Sequence, residues 1–218
     1  SEPEAVEYAY NHLKHFYKNV DLIVSAGGET FIAYKLDREG RIINVFTGNK
    51  CASGTGEFFL QQIKRMDLGV EEAVSIADLE HPYKVAGRCS VFCKSDCTHA
   101  LNKGALKERV TAGLCEMMAV KVLELLKKTE CHRVMIVGGA SANTAMIDFI
   151  KKEIPGLIIP GQAKYFEAFG AALRALEAGT EPVKDPAELF SDGESSFSRL
   201  PAIKDFLPQV TFKQTVRQ

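Results

Sequence analysis

Apolar residues at Val6, Ala9, Leu13 and Phe16 recur every three to four positions, a spacing that predicts an amphipathic helix over residues 4–18. The pattern then changes. DLIVSAGGETF is a continuous apolar run that stops at paired glycines, and FIAYKLDREGRIINVFTG adds two strand-like runs around the turn DREG. GTGEFFLQQIKRM places glycines just ahead of Phe58, Ile63 and Met66, so a helix is predicted to begin near residues 54–56. A short helix over 69–80 follows, then a break at HPYKVAG, a helix over about 88–101 and a longer one over about 106–128. HRVMIVGGASAN reads as a buried strand that runs into a second glycine pair and another helix. The pattern closes with a short strand near 157–159 and the helix KYFEAFGAALRALEAG. Three early strands and two later ones, set among helices, describe an α/β layered domain with a mixed sheet over residues 1–179. From Thr180 onward the chain is richer in Pro, Ser and acids, which predicts an appended docking segment or linker over 180–218.

Composition changes this picture only by exclusion. A net charge of -1 with 25% charged residues argues against a nucleic-acid or membrane-surface partner. No apolar run approaches the roughly 20 residues of a membrane span, and SEPEAVEYAYNHLKHF lacks a basic-then-apolar secretory layout, so the expected compartment is the cytoplasm. There the six cysteines (Cys51, Cys89, Cys93, Cys97, Cys115 and Cys131) stay reduced, which favours metal ligation or inert burial over disulfides. The chain opens without Met on a helix-like stretch, and the expectation is an excised piece of a longer protein.

Three glycine turns carry the candidate chemistry: SAGGET (Ser25 to Thr30), ASGTGE (Ala52 to Glu57) and VGGASAN (Val137 to Asn143). Glycine lets backbone N–H groups approach a ligand, and a helix start favours phosphate. One such turn is commonly just a tight turn. Three of them gathered beyond the strand ends of an α/β sheet point to a nucleotide crevice. None matches GxxxxGK[ST] or GxGxxG, so the site is of another kind.

The order GGET, NKCASGTGEFF, GRCSVFCKSD, VGGASAN and YFEAFGAA resembles the second lobe of the actin-like, Hsp70-like and sugar-kinase-like ATPases, the ribonuclease H-like fold. Within them it is similar to the BadF/BadG/BcrA/BcrD branch, which holds 2-hydroxyacyl-CoA dehydratase activators and benzoyl-CoA reductase ATPase subunits. The resemblance covers about residues 20–178, and Cys51 in CASGTG with Cys89 in GRCSVF is its most specific part. It implies that Gly27, Gly28, Glu29 and Thr30 lie near the terminal phosphates and Mg2+ of ATP or ADP. Gly138, Gly139 and Asn143 would then lie beside ribose and adenine, with helix 163–178 closing the base pocket. Gly54, Thr55, Gly56 and Glu57 would couple nucleotide to cluster. The simplest members have Gln and Asp where this chain has Glu29 and Thr30, so those two stand as candidates rather than assigned catalytic groups. The first lobe is expected to be missing, and this piece alone to hydrolyse ATP poorly.

The resemblance further implies a 4Fe-4S cluster in a helical insertion, held by Cys51 and Cys89 and by the same pair from a second copy on a homodimer axis. Cys89, Cys93 and Cys97 are spaced i, i+4, i+8 on a predicted helix, and a rise of 1.5 Å per residue puts the outer two about 12 Å apart. At most two of the three can share one cluster, so Cys93 and Cys97 read as packed or exposed thiols or as auxiliary ligands. The implied activity is ATP-driven electron donation in an anaerobic setting. The acceptor would be an iron-sulfur dehydratase or reductase, and a ferredoxin or flavodoxin would be the donor. Two other readings stand beside it: a sugar- or acetate-kinase-like phosphotransferase, which has no use for Cys51 and Cys89, and a non-catalytic nucleotide-binding module.

Overall fold

A computed structural model describes residues 1–48, 54–87, 89–179 and Asp185. Contacts divide the chain into Ser1–Thr180 and Glu181–Gln218, and apart from Asp185 the second unit lies outside the described residues, as does the reading of 180–218 as a docking segment or linker.

The sheet has four strands, β1 (Leu22–Ala26), β2 (Phe31–Leu36), β3 (Ile42–Thr47) and β4 (Val134–Val137), in the order β3-β2-β1-β4. β1 pairs antiparallel with β2 and parallel with β4, and β2 pairs antiparallel with β3, so the sheet is mixed, as the α/β reading requires. All five residues of β1 are buried because both of its faces are covered. Against one face lie α1 (Glu2–Leu13) and α7 (Phe166–Ala178), where Val6, Ala9, Leu13 and Phe166 pack on Ile23, Tyr34 and Met135. Against the other lie α2 (Gly56–Arg65), α3 (Val70–Ile76), α4 (Ser90–Asn102), α5 (Lys107–Leu126) and α6 (Thr144–Glu153), around Leu22, Val24, Ala33 and Ile136.

Three boundaries differ from the sequence expectation, each for a local reason. The first helix stops at Leu13 rather than 18, because the N–H groups of Phe16 and Tyr17 both return to the Leu13 carbonyl and Asn19 turns left-handed at φ 61°. Phe16, expected on the apolar stripe, is therefore 70% exposed. The helix expected over 69–80 ends at Ile76, because the Asp78 carboxylate accepts from the N–H groups of Glu80 and His81 and offers the backbone a turn instead. The strand expected near 157–159 shrinks to one parallel bridge at Ile158, opposite Met135. Pro155 and Pro160 flank that residue and have no N–H to extend the ladder.

Two close approaches hold the layers. A Cβ at Gly170 of α7 would lie 1.7 Å from the Ala5 carbonyl oxygen of α1, and one at Gly113 of α5 would lie 1.9 Å from the Tyr83 carbonyl oxygen. Beneath β4, the fully buried Cys115 of α5 exchanges contacts with Asn143, whose amide nitrogen lies 3.3 Å from the sulfur. Burial pushes the Cys115 thiol up to about 11, only partly offset by Asn143.

Gly170→Ala is expected to cost about 1–3 kcal/mol of stability through helix separation, measured by chemical denaturation at neutral pH. The raised Cys115 thiol also gives the fold a pH dependence. Its contribution is intact while the thiol is neutral in both states, and it falls away as pH rises from the ordinary 9.0 through about 11, because the unfolded chain ionises first. Denaturation curves across that range should show a loss on the order of 2 kcal/mol in the native sequence that Cys115→Ala lacks.

Candidate functional site

The four-residue turn between β1 and β2 carries Gly27, Gly28, Glu29 and Thr30, and the Gly27 N–H closes it by donating to the Thr30 carbonyl at 3.0 Å. Gly28, Glu29 and Thr30 are exposed at its tip, and a Cβ at Gly28 would meet nothing within 4 Å, so backbone is open to a ligand there. β1 and β4 are parallel, so their carboxyl ends, Ala26 and Val137, point the same way and open into both glycine turns at one edge of the sheet. Gly138, at φ 89°, presses against β1 so closely that a Cβ would lie 2.6 Å from the Ala26 carbonyl oxygen. Its N–H donates to Ala163 at 2.7 Å, which ties this turn to the one ahead of α7. Gly139 is exposed and open, and it begins a 3-10 turn that runs to Ala142.

Asn143 is buried, and its side chain is engaged within the protein. Its carbonyl oxygen accepts from the Met146 N–H at 2.9 Å to cap α6, and its amide faces Cys115 and Met118. It therefore shapes the second glycine turn from below.

The third glycine turn meets the first directly. Gly56 N–H donates to the Gly27 carbonyl at 3.2 Å and Glu57 N–H to the Gly28 carbonyl at 2.8 Å. The first free amides of α2 are thus taken up by the neighbouring turn instead of facing solvent. A Cβ at Gly56 would lie 3.1 Å from the Gly27 carbonyl oxygen, so this contact depends on glycine. Thr55, buried, is the N-cap of α2 and accepts from the Phe58 N–H through its hydroxyl. Glu57 is exposed and accepts from Gln61.

Of the cysteines expected at the cluster, Cys51 lies outside the described residues. Cys89 is the N-cap residue of α4 and is half-buried. Cys93 and Cys97 turn inward to the main core, where the Cys93 thiol donates to Cys97 and holds it below the ordinary thiol range, helped by the Arg65 guanidinium. Among the described residues, no three His, Cys, Asp or Glu side chains form a metal-sized group. Cys131 is half-buried, and burial raises its thiol.

Several contacts between separate parts of the chain organise this region. Gly54 and Gly87 rest on the same two side chains of α5: a Cβ at Gly54 would lie 2.7 Å from Lys121 Cγ and 3.2 Å from Met117 Sδ. One at Gly87 would lie 3.3 Å from Met117 Cγ and 4.0 Å from Lys121 Cε. Asp96 of α4 accepts from the Ala86 N–H at 2.9 Å and pins the segment that leads to Cys89. Ser25 and Glu167 bond to each other at 2.7 Å across 142 positions. Spacing marks Gly54 but none of these contacts, because each joins segments that no local pattern links.

The chain is similar to known proteins in both sequence and fold. It is 31% identical over 166 residues to a 2-hydroxyisocaproyl-CoA dehydratase activator of Clostridioides difficile, covering 75% of this chain and 62% of the relative. It is 26% identical over 161 residues to an (R)-2-hydroxyglutaryl-CoA dehydratase activating ATPase of Acidaminococcus fermentans, covering 72% and 61%. The chain thus spans about three fifths of the length of these relatives. The solved structure of the Clostridium difficile activator with bound ADPNP superposes with a TM-score of 0.73 at 26% identity, covering 85% of this chain and 71% of that one. The Acidaminococcus fermentans dehydratase component A superposes at 0.69 and 24% identity, over 82% and 69%, which speaks to the fold. A family profile matches residues 11–175, and the chain belongs to the BadF/BadG/BcrA/BcrD ATPase family.

Proposed function

We propose that this chain is the nucleotide-binding and cluster-binding lobe of an ATP-dependent activator that passes an electron to an iron-sulfur dehydratase or reductase acting on a CoA-linked substrate. ATP or ADP with Mg2+ sits across the turns at Gly27–Thr30 and Gly138–Asn143, where Gly28 and Gly139 leave open backbone at the same edge of the sheet. The ADPNP held by the Clostridium difficile relative supports this ligand class.

The observation that carries the cluster half is the shared seat on α5. Cys51 is three residues from Gly54 and Cys89 two residues from Gly87, and both glycines rest on Met117 and Lys121. A chain reaches at most about 3.6 Å per residue, so the Cα of Cys51 is tethered within about 11 Å of Gly54 and that of Cys89 within about 7 Å of Gly87. Two thiolates from this chain fit half the ligand set of a 4Fe-4S cluster, and a second copy completes it on a two-fold axis. The cluster, when bound, supplies low-potential one-electron transfer. Cys89 at the start of α4 holds its sulfur where the helix dipole favours negative charge.

The chain's own part in coupling runs through backbone. Gly27 and Gly28 receive the first two N–H groups of α2, so a shift of the phosphate turn pulls on the helix that follows residue 51. On this reading Glu29 and Thr30 face the terminal phosphate from the tip of the turn, and Glu57 stays at the entrance of α2. The protein works in the cytoplasm as a homodimer, with a ferredoxin or flavodoxin as its donor.

Anaerobic reconstitution tests the ligands. Cys51→Ala and Cys89→Ala should each abolish iron and sulfide binding with circular dichroism unchanged, whereas Cys115→Ala should keep the full cluster content. Iron retention by the Cys51 variant would end the cluster assignment. The coupling has a separate test. MgATP should change the rate at which a chelator strips iron from the native protein, and Gly56→Val should lose that dependence while Gly69→Val, whose side chain meets nothing within 4 Å, keeps it.

A further inference from the structure

β1 reads Leu-Ile-Val-Ser-Ala, and its one polar side chain, Ser25, is 5% exposed in a strand covered on both faces. A buried hydroxyl is costly unless bonded. Here it is bonded, since Ser25 Oγ donates to Glu167 Oε1 at 2.7 Å. The pair sits two residues before Gly27 on one side and four residues after Ala163 on the other. Ala163 is the residue whose carbonyl accepts from Gly138.

The two glycine turns are thus joined by three ties in a row. Gly138 packs on the Ala26 carbonyl, Ala163 accepts from Gly138, and Glu167 returns from the first turn of α7 to Ser25. The first two are backbone contacts that no side chain controls. The third is a side-chain bond, and it ties the start of α7 to the end of β1 beside the buried Phe166. Glu167 also has company on this face: Tyr34, whose hydroxyl donates to Glu2 at 2.9 Å, is held above the ordinary phenol range by burial first and then by Glu2 and Glu167. The Tyr34 hydroxyl is given to Glu2, and Ser25 Oγ is the donor that Glu167 takes from the sheet.

From this geometry we infer that Glu167 is a positioning residue of the nucleotide site, which acts through Ser25 to set the spacing between the turn that takes the phosphates and the turn that takes the nucleoside. The inference rests on the nucleotide-binding reading above. A ligand that spans both turns gains from their fixed separation, as any two-point ligand gains from a preset geometry. A ligand that touches only one turn gains nothing from it.

Calorimetry on the full chain with three probes separates the alternatives: MgATP, adenosine and magnesium tripolyphosphate. Glu167→Ala and Ser25→Ala should each weaken MgATP by about tenfold and leave adenosine and tripolyphosphate within about twofold, as expected when a two-point ligand loses its preset spacing. Glu167→Gln should bind MgATP like the native chain, because its amide oxygen accepts the same bond. The Ser25→Ala/Glu167→Ala double variant should be no weaker than either single one. Equal losses for all three probes would show general loosening and overturn the inference, as would a Gln variant as weak as the Ala variant, or additive losses in the double variant. Native chain that binds none of the three probes removes the nucleotide reading itself. Native chain that binds MgATP while Glu167→Ala binds it equally well removes only the role of Glu167.

Discussion

Backbone stretches far apart in sequence meet here because Gly56 and Gly138 carry no Cβ where they press on a neighbouring carbonyl. Gly27 and Gly28 accept from the N–H groups of Gly56 and Glu57, and Gly138 lies against the carbonyl of Ala26. The rest of the site follows from that close approach. It fixes where α2 begins, it brings the ends of β1 and β4 to one edge, and it leaves Gly28 and Gly139 as open backbone beside them. A side chain at Gly138 would have to displace the end of β1, since the Ala26 carbonyl is part of the strand and cannot rotate away.

α5 provides the second constraint, and it works by packing rather than hydrogen bonding. Its buried face runs from Val110 through Leu125 across the sheet, while Met117 and Lys121 carry the segments at Gly54 and Gly87. Lys121 contributes its alkyl stem to those contacts and keeps its amine at 3.3 Å from Glu124, so one side chain serves packing and charge at different atoms. Below the second glycine turn the same helix places Cys115 against Asn143. The region that holds Cys89 and the region that holds Gly138 are thus braced by one 20-residue helix.

Much of this was legible in the sequence. The glycine pairs after the apolar runs mark the ends of β1 and β4, the three to four residue spacing marks α1, and the glycines ahead of Phe58 mark the start of α2. The strand expected at 157–159 shrinks to one bridge, because an apolar triplet looks the same whether its neighbours can donate N–H groups or not, and here prolines stand on both sides. Phe16 departs from its expected place for a related reason: periodicity continues past the point where the chain has already turned. The backbone bonds from α2 to the first turn could not be read at all. Main-chain partners leave no residue signature, and even Ser25 with Glu167 shows only as a lone polar position in an apolar strand. Asn143 illustrates the opposite case. Its position in the motif was visible, but whether its side chain faced a ligand or capped a helix depended on Cys115 and Met118, both on another element.

Coupling between two sites in a protein requires an element with restricted freedom between them, since a flexible connection absorbs a displacement instead of passing it on. The contacts here meet that requirement at both ends. α2 is bonded at its first residues to Gly27 and Gly28, and at its far end the Lys107 ammonium holds the Met66 carbonyl, so the helix is gripped by a turn and by α5 together. Any movement of the first turn must then tilt α2 as a unit or break two hydrogen bonds, each worth about 1 kcal/mol. Tilting is the easier response, because Thr55 caps the helix internally and a small tilt keeps Phe58, Phe59 and Ile63 buried in the core, whereas detaching the helix would expose them. Gly54 lies just ahead of that helix, and the three atoms nearest a Cβ there belong to the flexible side chains of Met117 and Lys121, which can yield where backbone cannot.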